Sequence, residues 1–383
     1  MKKIFNYLCV TCTIMFIVSC ATSENNMAVL GGVTKIDSMK YEFSDIDYLS
    51  KVDFFPIDSN KNAMFSRVSK VMEVDDLLCF VCNKDNKIVF FDSLGNYVNE
   101  VKRIGRGHGE YIYLNDVTYD PYNEELLLLA YPNSIIRLKK NGEYVDKELL
   151  EGYYNEISVD KDYIYLTNST YTNNELSTHS LTTINKKTKE KMKLLPLEAE
   201  YAPYCVHGKN LLKTNDGIIF TRKFDDHIYK LKNGEVCDFI EVDMSSLTFP
   251  KEKMDHQYDC VEITQLCAKD NYIYVLDNVV ETDSYILFSS NLGDINICDK
   301  STMISQHYKR ATLTSMAGIS NMLYVPIEGS KYDFCFVKDN VSVSMMKQSI
   351  EKYKMAQSVD KRFIDALSSV SDNSTIVVLC KFK

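Results

Sequence analysis

A short alternating apolar run, a turn rich in Asn, Asp or Gly, and a second short run recur along most of the chain. The pattern reads KIVFFDSLGNYVNEV from Lys87, SIIRLKKNGEYVDKEL from Ser134, LTTINKKTKEKMKLL from Leu181 and HIYKLKNGEVCDFIEV from His227. Weaker copies start at Tyr285 (YILFSSNLGDINICD) and Asp333 (DFCFVKDNVSVSMM). The starting residues step by 47, 47, 46, 58 and 48, the near-constant spacing of a repeat architecture with one insertion. Upstream of each copy lies another run: LLCFVC from Leu77, ELLLLAY from Glu125, YIYLTNS from Tyr163, GIIFTRK from Gly217, YIYVLDN from Tyr272 and MLYVPIE from Met322. A looser run precedes each of those, as in RVSKVMEVDD from Arg67 and VEITQLCAKDN from Val261. Runs of this length, rich in Ile, Val, Tyr and Phe, predict strands rather than helices, about four per repeat. Ser93-Leu94-Gly95-Asn96, Asn141-Gly142 and Asn233-Gly234 supply the positive φ values of tight hairpins.

A four-stranded antiparallel sheet cannot bury both faces alone, so repeated sheets gain stability by packing face to face around an axis. The predicted fold is therefore all-β: a six-bladed β-propeller of four-stranded antiparallel blades over residues 41–383. Two tandem β-sandwiches are the rival reading, but they do not require constant spacing. Closure needs a terminal strand to complete the last blade. Tyr41–Asp58 and Thr375–Phe382 are the candidates. Apolar residues Ile350, Tyr353, Ala356, Val359, Phe363 and Leu367 follow helical spacing and predict one C-terminal helix on the propeller.

The first residues change the picture of where the protein resides. Met1-Lys2-Lys3 and the apolar stretch Ile4–Val18 read as a secretory signal, too short for a bilayer span before the polar Thr22–Asn26. Ile17-Val18-Ser19-Cys20 resembles a bacterial lipobox. That resemblance implies cleavage after residue 19, acylation of Cys20, and a tether over residues 20–40. The body then lies in the cell envelope, lipid-anchored to the outer membrane on its periplasmic or its outer side, touching the membrane through the anchor only. Without residues 1–19, which carry two lysines and no acid, the formal charge moves from −9 to −11. So anionic a surface offers no basic stripe for releasing counterions, and nucleic acid is not an expected partner. Cys79 and Cys82 form a C-x-x-C inside a strand, where residues three apart point to opposite faces, so buried cysteines are expected rather than a metal knuckle.

The junction Ile104–Pro121 (IGRGHGEYIYLNDVTYDP), together with the signal and the repeats, resembles the NHL-like six-bladed propeller lipoproteins of Bacteroides-type bacteria. Gly105, Gly107, Gly109, Glu110 and Tyr111 match that family's loop between first and second blades, with His108 where proline is usual. Asp226-His227-Ile228-Tyr229-Lys230-Leu231 resembles its D-x-I-Y-x-L motif, and Asn373–Phe382 echoes its closing strand. The resemblance implies the propeller fold and leaves the activity open.

A phosphate cradle would need these glycines to open a helix, whereas Tyr111-Ile112-Tyr113 leads into a strand. A crossing turn in which Glu110 hydrogen-bonds loop amides is the simpler expectation. The six histidines show no zinc spacing, and no G-x-S-x-G elbow occurs. Six-bladed lactonases and esterases hold calcium in the channel with carboxylates and amides from several inner strands. Asn115, Asp116, Asn155, Glu156 and Glu262 are the channel candidates here, although polar residues also line wet channels without a metal. No cofactor is predicted on the main reading: an envelope module that binds an unidentified ligand or envelope protein, with glycan or peptide capture in nutrient uptake as its setting. The alternative is a calcium-dependent hydrolase or lyase of the propeller type.

Overall fold

LLCFVC and ELLLLAY are apolar at nearly every position because both faces of each sheet are covered. Cys79 and Val81 pack with Val117, Leu126 and Leu128 on one side, whereas Phe80 and Cys82 pack with Phe55, Cys335 and Val377 on the other. The two cysteines thus face apart, as the strand geometry requires, and burial pushes the Cys82 thiol up to about 12. The structure, a computed structural model, describes residues 33–36, 40–44, 48–57, 65–168, 171–172, 175–197, 208–254, 256, 258–312, 324–338, 340–353, 360–372 and 374–383.

Four-stranded antiparallel meanders follow one another. Meander I comprises Lys70–Val74, Leu77–Cys82, Lys87–Phe91 and Tyr97–Val101; meander II, Tyr113–Asp120, Glu125–Tyr131, Ser134–Lys139 and Tyr144–Leu149. Meander III uses Tyr154–Val159, Tyr163–Asn168, His179–Asn185 and Lys191–Pro196; meander IV, Leu211–Lys213, Ile218–Phe220, His227–Lys232 and Glu235–Asp243. Meander V runs Leu276–Glu281, Tyr285–Ser290, Ile295–Asp299 and Ile304–Thr312. Meander VI joins Tyr324–Glu328 and Phe334–Lys338 to the C-terminal strand Thr375–Phe382 and, outermost, to Leu49–Ile57. Separate apolar clusters fill each interface, including that between VI and I, where Ile327 and Glu328 pair in parallel with Val71 and Met72. First strands line one axis, and the ring returns to its start: the fold is a β-propeller.

Several expectations need correction. Strands from both halves of the chain close the ring, Thr375–Phe382 as third and Leu49–Ile57 as fourth of meander VI. In meanders V and VI the repeated runs are first and second strands rather than second and third. The run from Val261, expected as a strand, is the helix Cys260–Asp270, started by an Asp259–Glu262 capping box. In place of one C-terminal helix there are Asn340–Tyr353 and Lys361–Ser368, the latter burying Phe363 and Leu367; Ala356 and Val359 lie outside the described residues. Strands begin within the stretch expected as tether: Val33–Ile36 inserts in parallel between the outer strands of meanders IV and V. Cys20 lies outside the described residues.

Because Thr375–Phe382 is flanked by Phe334–Lys338 on one side and Leu49–Ile57 on the other, ending the chain at Ser374 leaves two sheet edges open at the seam. The expected outcome is loss of the cooperative thermal transition and of soluble yield. An unchanged melting midpoint would contradict closure at this seam.

Candidate functional site

First strands turn their inner edges to the axis, where, apart from the parallel pairing of Ile327 and Glu328 with Val71 and Met72, their N–H groups lack ladder partners and need other acceptors. Carboxylates supply them. Glu156 Oε2 accepts from Leu211 N at 2.8 Å and Asn210 N at 3.1 Å, Asp116 Oδ2 from Ile157 N at 3.0 Å, and Glu328 Oε1 from Lys213 N at 3.1 Å. Asp277 Oδ2 accepts from Gly208 N at 2.7 Å. Each of these bonds joins one meander, or the approach to it, to another.

Buried carboxylates need countercharge. Lys70, which has no exposed surface, places Nζ 3.4 Å from Asp116 and 3.1 Å from Glu328. Lys209 Nζ lies 3.0 Å from Asp116 and 3.8 Å from Glu156. Burial pushes the Asp116 carboxyl up, but Lys209 and Lys70 together outweigh it and hold the group below the usual carboxylate range. Burial of Glu156 is only partly offset by Lys209, and its carboxyl rises to about 7. Burial likewise raises Glu328, and it raises Asp277 to about 6. Lys70 is driven up: burial opposes its charge, and Asp116 and Glu328 more than compensate.

The structure brings Asp116 and Glu156 together, both flanking Lys209. Asn115 stands beside them as an interblade tie, its Nδ2 donating to Tyr154 O at 3.1 Å and its carbonyl accepting from Asn83 Nδ2 at 2.5 Å. Asn155 occupies the equivalent irregularity of the next first strand, so Asn115-Asp116 and Asn155-Glu156 are successive copies of one arrangement. Glu262 does not join them; its side chain accepts from Asp259 N at 3.0 Å on the helix Cys260–Asp270. Lys70, Lys209 and Glu328 escaped the sequence reading. The one signal was that Lys70 shares a strand face with Met72 and Val74. These residues do not fit calcium, since the carboxylates close on lysine ammonium groups rather than on an open point, and a cation would have to displace Lys70 or Lys209.

The glycine loop is a crossing turn from the last strand of meander I to the first of II. Gly107 N donates to Glu110 Oε2 at 2.7 Å, and Gly105 N to Tyr111 O at 3.0 Å. A Cβ on Gly105 would lie 2.0 Å from the Glu110 carboxylate, so the loop needs glycine for close approach. Tyr111 is fully buried, its hydroxyl donating to Asn86 O at 2.9 Å, and His108 packs on Tyr144 with ring centroids 4.5 Å apart.

Residues 32–381 match the family model described as a domain of unknown function (DUF4934). The chain belongs to the DUF4934 family. Its structure is similar to that of a Bacteroides fragilis protein assigned as exported, with a TM-score of 0.72 at 13% identity, covering 92% of this chain and 99% of that one. It is also similar to a DUF4221 family member from Bacteroides vulgatus, with a TM-score of 0.52 at 10% identity, covering 88% of this chain and 97% of that one. At these identities the likeness shows the fold alone. No curated protein matches the chain by sequence.

For this DUF4934 chain, K70M leaves Asp116 and Glu328 facing each other without their shared cation, and the expected cost is about 3–5 kcal/mol in urea unfolding. Stability should also respond to pH. Glu156 and Asp277 bind protons more tightly folded than unfolded, so their contribution is complete below their ordinary values near 4 and is lost as pH rises through about 7 and about 6. Asp116, shifted the other way, matters only at more acid pH. Denaturant titrations should show the folded state about 1–3 kcal/mol more stable at pH 5 than at pH 8, and E156Q should flatten that difference.

Proposed function

We propose that this chain is a lipid-anchored, envelope-exposed six-bladed propeller that binds a ligand or partner protein on one of its two ends. The observation that supports this reading is the unequal length of its connections. At one end every described turn is short, from Asp75-Asp76 and Asn233-Gly234 up to residues 329–333. At the opposite end the connections from Val101 to Tyr113, Pro196 to Leu211, Asp243 to Leu276 and Lys338 to Thr375 are long in sequence, and the described helices belong to them. Rigid scaffolds with variable loops at one end are built for recognition. Near the axis on that long-loop end, Tyr113, Tyr131 and Tyr153 are exposed by 59%, 41% and 38%, with Tyr113 and Tyr131 in ring contact at 6.1 Å. Exposed tyrosines give large, stiff, amphipathic contact area, suited to a glycan or a peptide.

The lipobox-like Ile17–Cys20 supports tethering. Residues 21–32 can span at most about 40 Å before Val33 enters the outer rim between meanders IV and V, enough to hold the ring clear of a membrane surface. No described helix is long and apolar enough to cross a membrane.

Two measurements test this reading. A C20S variant expressed in a bacterial host should lose detergent-phase partitioning and lipid labelling; retained labelling would remove the anchor. In thermal-shift screening of residues 21–383 against soluble glycans and peptides, a ligand at about 100 times its Kd should stabilise the fold by about 2.7 kcal/mol. Combined alanine substitution of Tyr113, Tyr131 and Tyr153 should abolish that shift while leaving the unliganded midpoint in place. Ligand shifts indifferent to these substitutions would move binding away from this end.

A further inference from the structure

Away from the axis, a second set of ionisable groups gathers where the long-loop end meets meander IV. Residues 221–226 connect its second and third strands, and His227 opens the third. His227 Nδ1 lies 2.8 Å from Asp225 Oδ1 and 2.7 Å from Asp226 Oδ1. One ring N–H thus faces two carboxylate oxygens, and a single proton cannot bond both well. The three donor atoms lie within 4.8 Å of one another, and among the described residues this is where three such groups converge.

The surroundings fix the donors in place. The second oxygen of Asp225 accepts from Tyr229 OH at 2.8 Å and from Arg222 Nε, so this carboxylate cannot swing away. The imidazole is stacked on Tyr229 at 5.5 Å and meets the edge of Phe239 at 4.8 Å. Hydrogen-bonded carboxylates and a ring held by its neighbours are the outer supports that metal ligands require. Asp226, on the solvent side, leaves room for water to complete a coordination sphere.

We propose that Asp225, Asp226 and His227 form a divalent transition-metal site, with zinc as the ion its donor set fits. An imidazole nitrogen with two carboxylate oxygens suits zinc and its first-row neighbours, whereas calcium prefers oxygen alone. Zn–N and Zn–O bonds of about 2.0–2.2 Å require the donors to separate slightly from their present hydrogen-bonding distances. Binding breaks the Nδ1–H bond: the nitrogen lone pair passes to the metal and the proton leaves to solvent, with no change of oxidation state. Because the imidazole nitrogen must be free of its proton to bind the metal, affinity should rise with pH. This inference is independent of the ligand-binding role proposed above.

Isothermal titration of the mature chain with zinc chloride, in buffers of different ionisation enthalpy, tests it. The expected result is saturable uptake of one ion per chain, weaker at lower pH. D226N should weaken binding at least about tenfold, and H227Q should abolish it. Both variants should keep a cooperative melt in chelator, D226N most readily because Asp226 is the most exposed of the three. Cobalt(II) substitution checks the donors: a spectrum without thiolate charge transfer fits a histidine and carboxylate set. Absence of saturable uptake, uptake unchanged in D226N and H227Q, or a thiolate band from the cysteines would each overturn the assignment.

Discussion

The four-stranded meanders described above carry apolar residues on both faces, and that constraint decides the architecture. A strand such as Glu125–Tyr131 sends Leu126, Leu128 and Ala130 toward meander I and Leu127 and Leu129 toward meander III. Stacking sheets in a row would leave two terminal faces in water; a ring leaves none. The chain must then join its own ends, and it does so by placing a C-terminal strand between Phe334–Lys338 and a strand drawn from near the N-terminus. Val33–Ile36, bridging the outer strands of meanders IV and V, extends the same lacing around the rim.

Closure creates an electrostatic problem at the axis. Sheets meeting around a line turn their first-strand edges inward, and the unpaired amides there must be satisfied without bulk water. Glu156 and Asp116 accept from backbone N–H groups of neighbouring meanders and Glu328 from Lys213 N of meander IV, two meanders away, and Lys70 and Lys209 neutralise them. A hydrophobic plug would fill the same space but would leave those amides unpaired at about 1–3 kcal/mol each. The cluster is therefore better understood as the fastening of the ring than as a reaction centre, and its lysines fill the place that a channel cation would take.

The repeat spacing and strand alternation made the meanders legible because sheet packing depends on local apolar pattern. The loop from Gly105 to Tyr111 was legible for a similar reason: Glu110 bonds the Gly107 amide within its own turn. Long-range partners were not. Lys70 shares a strand face with Met72 and Val74, but its partners come into view only when meanders II and VI bring Asp116 and Glu328 to it. Glu262 fails in the opposite sense, because it pairs with the N-cap Asp259 just before the run from Val261 and starts a helix where the pattern resembles a first strand. The displacement of the pattern in meanders V and VI has the same origin, since the helices occupy connections that the spacing alone could not distinguish from strands.

The unequal ends of the ring follow from packing as well. Turns at the short end are pressed against the preceding meander. A Cβ on Gly95, at φ 88°, would lie 2.1 Å from Pro56 O, and one on Gly234, at φ 84°, would lie 2.5 Å from the Tyr163 ring. Gly234 also donates to Tyr165 OH at 2.7 Å and accepts from Thr183 at 3.1 Å. Lengthening such a turn would break the interblade contact it makes, so these turns are held short by the same closure that stabilises the core. At the other end the connections cross from the outer strand of one meander to the inner strand of the next, and loops as different as residues 102–112 and 244–275 serve equally well. Freedom to vary is thus confined to one end, where exposed tyrosines and the Asp225–His227 cluster are also found. A ring closed by interblade turns on one side leaves the other side as the place where sequence can change without opening the fold.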